Sequence, residues 1–242
     1  MKFSKDYFVA IIFLLFTLLG SAYQSLYIYD SFHWVINQSS LDLFTDKIPY
    51  KDFFIHYGFL FTLINGLVLN IFNNDLISTM IAASVFYCLG NFNVYLISKR
   101  FLDKNLSIYI PVILFLLHPF ANHPWPNYQF YFFLTLSILF FYKNNAFGSF
   151  LAGFFLSFSS LIYENFLYLC PLIIVTLLLI TVDQKKRALL LLGFILPLSI
   201  FHTYLYFNDL HFYWYKTFTL NNIFLEIYDT NLVSLILNFI VN

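Results

Sequence analysis

Charge is what this sequence lacks most. Of its 242 residues only 10% are Asp, Glu, Lys or Arg, against 61% hydrophobic and 23% aromatic. A soluble domain carries roughly 25% charged residues, because water must solvate its surface. A chain this poor in charge cannot cover itself for water, so its outer surface is expected to face lipid. The charges present cancel to +0, which excludes the basic footprint of a nucleic-acid-binding protein and the polybasic face of a peripheral membrane protein. Cysteine is scarce as well, and both Cys88 and Cys170 sit inside apolar runs. That excludes a disulfide framework or a cysteine-based zinc site and leaves them as small buried apolar residues. Internal repeats, Gly/Ser linkers and low-complexity tracts are missing, so residues 1–242 read as a single membrane domain.

What the chain does have is long apolar sequence. A hydrocarbon core about 30 Å thick needs roughly 20 apolar residues as a helix. Runs near 7–28, 76–98, 106–121, 128–142, 149–163, 165–182 and 188–207 reach or approach that length, and a last run, 232–241, is too short to cross by itself. The run 57–72, interrupted by Asn65 and Asn70, has the length of an interfacial helix. If it lies on the surface, Lys2, Lys5, Lys99, Arg100, Lys104, Lys143, Lys185, Lys186 and Arg187 share one side, and only Lys47, Lys51 and Lys216 fall on the other. The positive-inside rule then puts the N-terminus in the cytoplasm. The first span is expected to remain uncleaved, because its apolar stretch continues through Tyr27–Tyr29 past the small residues Gly20, Ser21 and Ala22. The expected fold is therefore an all-α, polytopic transmembrane helix bundle, with external amphipathic surface helices after the first span in a loop over 29–75.

Unusual residues gather on the non-cytoplasmic side of this topology. Asp30, His33, Trp34 and Asn37 share one face of a helix. Interfacial anchoring accounts for His33 and Trp34 as well as ligand binding does. The stretch Pro49 to Gly58 alternates aromatic residues with Lys51, Asp52 and His56, a pattern that a solvated loop does not require. Between His118 and Tyr128 three prolines force a turn. Its histidines, His118 and His123, match no strong zinc signature, so no metal site is assigned. Glu164 lies between two apolar runs; an ionisable group at the edge of a membrane bundle is costly, and function competes there with a plain interfacial turn. His202 reads as an interior histidine, and 211–216 as an aromatic belt.

Taken in order, these residues resemble the N-terminal module of the C-superfamily of membrane glycosyltransferases, as seen in bacterial relatives of protein O-mannosyltransferases and of the lipid A aminoarabinose transferases. The resemblance rests on Asp30 after the first span, on Pro49, Tyr50, Asp52, Phe53 and Gly58, on the basic pair Lys99 and Arg100, and on Gly153 through Asn165. It covers about residues 5–185. The chain departs from the pattern at Phe59, where the family often has proline, and at Asn127 and Gln129, where many members carry a second carboxylate. Members are usually longer, so the resemblance implies a chain without the family's C-terminal part.

The resemblance implies transfer of a sugar from a polyprenyl-phosphate carrier to a glycan, lipid or protein acceptor on the external face of a membrane, the bacterial inner membrane above all, with inversion at the anomeric carbon. Such a reaction needs a base at the acceptor hydroxyl and donors around the departing phosphate. Asp30 is the implied catalytic base, opening a helix whose dipole favours the ionised carboxylate. His33, Lys51 and His56 are the implied phosphate contacts; Asp52, Tyr128 and Glu164 are implied at sugar or acceptor hydroxyls. No organic cofactor is implied, and a divalent metal is used by some members and not by others. A non-catalytic or truncated membrane subunit and a lipid-linked glycan transporter are the alternatives from other classes.

Overall fold

A computed structural model describes residues 31–73, 76–103, 106–117, 125–163, 167 and 169–217, together with positions 8, 11, 12, 15–20 and 23; side chains of 31–35 are outside the description. Every regular element among the described residues is a helix. In chain order they are α1 (Ser31–Asp42), α2 (Phe59–Ile71), α3 (Leu76–Ser98), α4 (Tyr109–Leu117, entered through a 3-10 turn at Leu106–Ile108), α5 (Pro126–Phe141), α6 (Ala146–Ile162), α7 (Leu169–Ile180) and α8 (Gln184–Phe207). A further helical stretch covers 211–217.

The all-α expectation holds among these residues. Two helices, α3 and α8, are long and apolar enough to cross a membrane by length and composition. The run 57–72 folds as the 13-residue α2, about 20 Å long and short of a hydrocarbon core about 30 Å thick. Other expected spans correspond to shorter helices, α5 with 16 residues, α6 with 17 and α7 with 12. The expected first span falls mostly outside the described residues.

Helix ends follow local chemistry. Pro126 starts α5 in its first turn, where its missing N–H would have had no helical partner. The side chain of Asn145 caps α6 by accepting from the Gly148 N–H at 2.6 Å, and Asp183 caps α8 by accepting from the Lys185 N–H at 2.8 Å. Each such cap is worth about 1 kcal/mol.

The helices at the centre are α5, α6 and α8. The hydroxyl of Ser137 on α5 donates to the Ala152 carbonyl on α6 at 2.7 Å, and α6 and α8 run side by side in the same direction. Their backbones touch at two glycines. A methyl group on Gly153 would lie 2.0 Å from the Leu190 carbonyl oxygen, and one on Gly193 would lie 2.1 Å from that of Phe150. This is small-residue packing, in which helices gain dispersion contact by bringing backbones together. Around the contact Ala152, Leu156 and Leu190 are fully buried at 0% exposure.

Polar side chains are buried together with apolar ones, and many large apolar side chains are exposed. Ser157, Ser159, Asn65, Asn91 and Gln129 are buried, whereas Leu172, Leu179, Leu192 and Ile200 are exposed on α7 and α8. Buried amides tie the helices together. Gln129 Nε2 donates to Asn65 Oδ1 at 3.0 Å, linking α5 to α2. The Tyr131 hydroxyl donates to Asn91 Oδ1 at 2.9 Å, and Asn93 Nδ2 donates to Thr135 Oγ1 at 3.2 Å, both linking α5 to α3.

The bundle has two chemically distinct ends. Lys186 at the start of α8 donates to Asn144, just before α6, at 2.9 Å, and Arg100 after α3 donates to the Tyr142 carbonyl at the end of α5. The cations Arg100, Lys143, Lys185, Lys186 and Arg187 therefore share one end. The 43–58 loop packs at the other end of α6, about 25 Å away along a 17-residue helix.

The glycine contact makes a direct prediction. Gly153→Val pushes a side chain against a backbone carbonyl that cannot rotate aside, so it should lower the stability of the purified chain in detergent by about 1–3 kcal/mol or more. Thermal unfolding followed by tryptophan fluorescence measures this; an unchanged midpoint would show that α6 and α8 do not meet at Gly153.

Candidate functional site

The 43–58 loop is held by its own polar groups before it meets any other element. Asp52 closes the turn from Ile48: its N–H donates to the Ile48 carbonyl at 2.9 Å, and its Oδ2 accepts from the Ile48 N–H at 2.8 Å. Inside this turn Tyr50 has φ 67, a left-handed conformation that costs a bulky residue energy unless its surroundings over-determine it. They do. Tyr50 is only 6% exposed, stacks on Phe59 with ring centroids 6.5 Å apart, and packs in one apolar cluster with Ile55, Phe201, Leu205 and Leu210. The loop is thus anchored on the C-terminal part of α8.

Two further bonds fix it to α1 and α6. The Ser39 hydroxyl on α1 donates to the Phe54 carbonyl at 2.9 Å. The Gly58 N–H donates to the Ile162 carbonyl at the end of α6 at 3.0 Å. A Cβ on Gly58 would lie 2.0 Å from the Leu161 carbonyl oxygen, so only glycine fits this approach.

The bond at Gly58 places Tyr57 at the centre of an aromatic cluster. Its ring centroid lies 4.7 Å from His56, 5.4 Å from Phe61, 5.7 Å from Tyr163 and 6.2 Å from Trp125. Trp125 is the residue before α5 and Tyr163 the residue after α6, so three separate chain segments converge here. Tyr57 itself is buried, while Trp125 reaches the surface at 36% exposure. Burial pushes the Tyr57 phenol above its ordinary range, and Tyr163 adds to the shift. Burial holds the half-buried His56 below its ordinary value, so its imidazole is neutral near pH 7 and offers one hydrogen-bond donor and one acceptor.

The sequence-selected residues are distributed unevenly around this cluster. His56 is part of it. Lys51 is exposed on the same loop. Asp52 is exposed on the loop as well, with Oδ2 bonded to the backbone of its own turn. Tyr128 turns away, 5% exposed, with its ring 5.5 Å from Tyr87 on α3. His33 lies in α1, but its side chain is outside the description, and Asp30 and Glu164 lie outside the described residues. They adjoin described neighbours, Asp30 preceding α1 and Glu164 following Tyr163. Among the described residues no three of His, Cys, Asp or Glu come together.

Sequence reasoning selected the charged members of this region and passed over Tyr57, Trp125 and Tyr163. Their convergence needs the Gly58–Ile162 contact, for which the sequence offers only the glycine itself. Chemically, the cluster offers flat apolar ring faces with polar edges, beside a neutral imidazole and the exposed Lys51.

The His56 environment carries a pH signature. Because burial disfavours its imidazolium in the folded chain, the unfolded chain binds more protons between the depressed folded pKa and the ordinary value near 6.5. Stability from this group is complete above about 6.5 and declines as pH falls below it. His56→Gln should therefore remove part of the acid-side loss of thermal stability between pH 7.5 and 5; an identical loss in the variant would contradict the burial. Comparison of the chain with protein-family models, with curated proteins and with solved structures finds no match in any of the three.

Proposed function

We propose that this chain is a multi-pass membrane glycosyltransferase, moving a sugar from a polyprenyl-phosphate carrier to an acceptor at the non-cytoplasmic face of a bacterial inner membrane. The observation that carries the reading is the aromatic and histidine cluster at one end of the helices. It is built from the loop bearing Pro49, Tyr50, Asp52, Phe53 and Gly58, on which the family resemblance rests. Apolar residues on the outer faces of α7 and α8, with serines and amides inside, support the membrane part of the proposal.

In this mechanism the acceptor hydroxyl attacks the anomeric carbon and its proton passes to Asp30. The bond from that carbon to the phosphate oxygen breaks, and its electron pair leaves with the lipid phosphate. Negative charge grows on the departing phosphate, where Lys51, His33 and the neutral His56 donate. Trp125 and Tyr163, backed by the buried Tyr57, supply a wall for the sugar ring, and Glu164, next to Tyr163, takes a sugar or acceptor hydroxyl. Asp52 holds the loop in shape instead of touching substrate, and Tyr128 supports α5 against α3.

A second reading, a non-catalytic membrane subunit, is favoured by that last observation: two of the residues chosen for substrate are engaged in structure. Mass spectrometry of cell-surface glycans and lipid-linked sugars distinguishes the two. Asp30→Asn should abolish one sugar addition and cause its lipid-linked donor to accumulate. Asp46→Asn, at an exposed position of the same loop, should leave both unchanged. Identical profiles for wild type and Asp30→Asn at equal expression would reject the transferase and favour the subunit.

A further inference from the structure

The opposite end of the bundle holds a cleft of about 520 Å³ between the C-terminal ends of α5 and α7 and the starts of α6 and α8. Its polar wall includes Asn144, Ser149, Thr181 and Lys186, and its lip is formed by Ile180 and Val182. The lip is strongly exposed, 62% at Ile180 and 89% at Val182, and continues into Leu179 at 75% and Phe147 at 69%. A hollow of mixed polar and apolar lining therefore opens onto an apolar outer surface.

Three cations close on the residues that line this cleft, and each is held by a neutral oxygen. Lys186 Nζ donates to Asn144 Oδ1 at 2.9 Å. The Arg187 guanidinium donates to the Thr181 carbonyl, and the Arg100 guanidinium donates to the carbonyl of Tyr142, another cleft residue. Lys143 follows Tyr142 and rests over the Phe140 ring, 4.2 Å from its centroid. One carboxylate also lines the cleft, Asp183. It is turned to its own helix, accepting from the N–H groups of Lys185 at 2.8 Å and Lys186 at 3.3 Å. Because Asn145 and Asp183 already cap α6 and α8, it is the side-chain cations, not the helix ends, that favour an anion here.

We propose that this cleft binds the headgroup of an anionic phospholipid, with the phosphodiester at Lys186, Arg187 and Arg100 and the acyl chains lying along Ile180, Val182 and Leu179. Charge complementarity selects an anion, and the apolar lip selects a lipid over a free phosphate. A hollow between helices at the membrane boundary, lined by Lys186 and flanked by Arg100 and Arg187, is suited to such a headgroup. The inference rests on the membrane part of the proposal above and is independent of the glycosyltransferase chemistry.

The test uses the full chain purified from membranes. Recovery in the membrane fraction after an alkaline wash establishes the membrane reading by itself, and release into the wash would reject that reading. Lipid retention is then measured by native mass spectrometry after incubation with equimolar phosphatidylglycerol and phosphatidylcholine of identical acyl chains. Wild type should retain phosphatidylglycerol about thirtyfold or more over phosphatidylcholine, the order expected when two or three cations meet one anionic lipid. The triple variant Arg100→Gln, Lys186→Gln, Arg187→Gln should lose that preference. A second triple variant that keeps the charges, Arg100→Lys, Lys186→Arg, Arg187→Lys, should keep it. Millimolar glycerol phosphate should not displace the lipid. Equal retention of the two lipids, equal loss in both triple variants, or displacement by glycerol phosphate would each overturn the proposal, the last in favour of a soluble-phosphate site.

Discussion

The close approach of α6 and α8 at Gly153 and Gly193 sets the geometry of this protein. Carbonyl oxygens of Leu190 and Phe150 occupy the space where side chains would otherwise stand, so the two helices behave as one rigid spine. Everything chemically distinctive is attached to its ends. At the C-terminal end, Gly58 bonds to Ile162 and Tyr50 packs near Phe201 and Leu205. At the N-terminal end, Asn144 and Lys186 meet across the starts of the same two helices. A change in the spine's crossing would therefore move the aromatic cluster and the cleft together.

The apolar core admits serines and amides for the same physical reason that the exterior is apolar. When the surroundings are lipid, burying a leucine between helices gains little, and association depends on close packing and on hydrogen bonds across helices. The links Asn65–Gln129, Asn91–Tyr131 and Asn93–Thr135 fit that logic, and all converge on α5. They join helices to one another and leave the outer surface to Leu, Ile and Phe. The same economy of charge explains why cations collect at one end, where they need not be buried.

Helical class and the sites of the larger helices were legible from apolar run length: α3, α5, α6, α7 and α8 each fall within or close to an apolar stretch bounded by polar residues. Gly58 and Gly153 were legible only as members of the stretches that carry the resemblance, and the backbones they approach, at Leu161 and Leu190, were not, because a carbonyl so far along the chain leaves no trace in local pattern. At Asp52 the sequence showed a charge in a membrane-edge loop but not its local bond, in which one carboxylate oxygen accepts from the Ile48 N–H while the side chain stays exposed. Tyr128 lies in the first turn of α5, where helical geometry and the Tyr87 ring decide its direction, which proximity to a proline-rich turn in sequence does not disclose. The aromatic cluster itself was hidden, since Tyr57, Trp125 and Tyr163 belong to three segments that only tertiary packing unites.

If the spine spans a membrane, its two ends must lie in different compartments, and the whole functional account depends on that separation. Single-cysteine reporters give the most direct test. Cys88 and Cys170 are both buried, so they serve as silent background in the intact chain. Lys51→Cys and Asn144→Cys, at opposite ends of α6, would be treated in whole cells with a membrane-impermeant maleimide. The account predicts rapid labelling at position 51 and labelling at position 144 only after the cells are opened. Equal labelling of both positions in intact cells, or the reverse pattern, would contradict it.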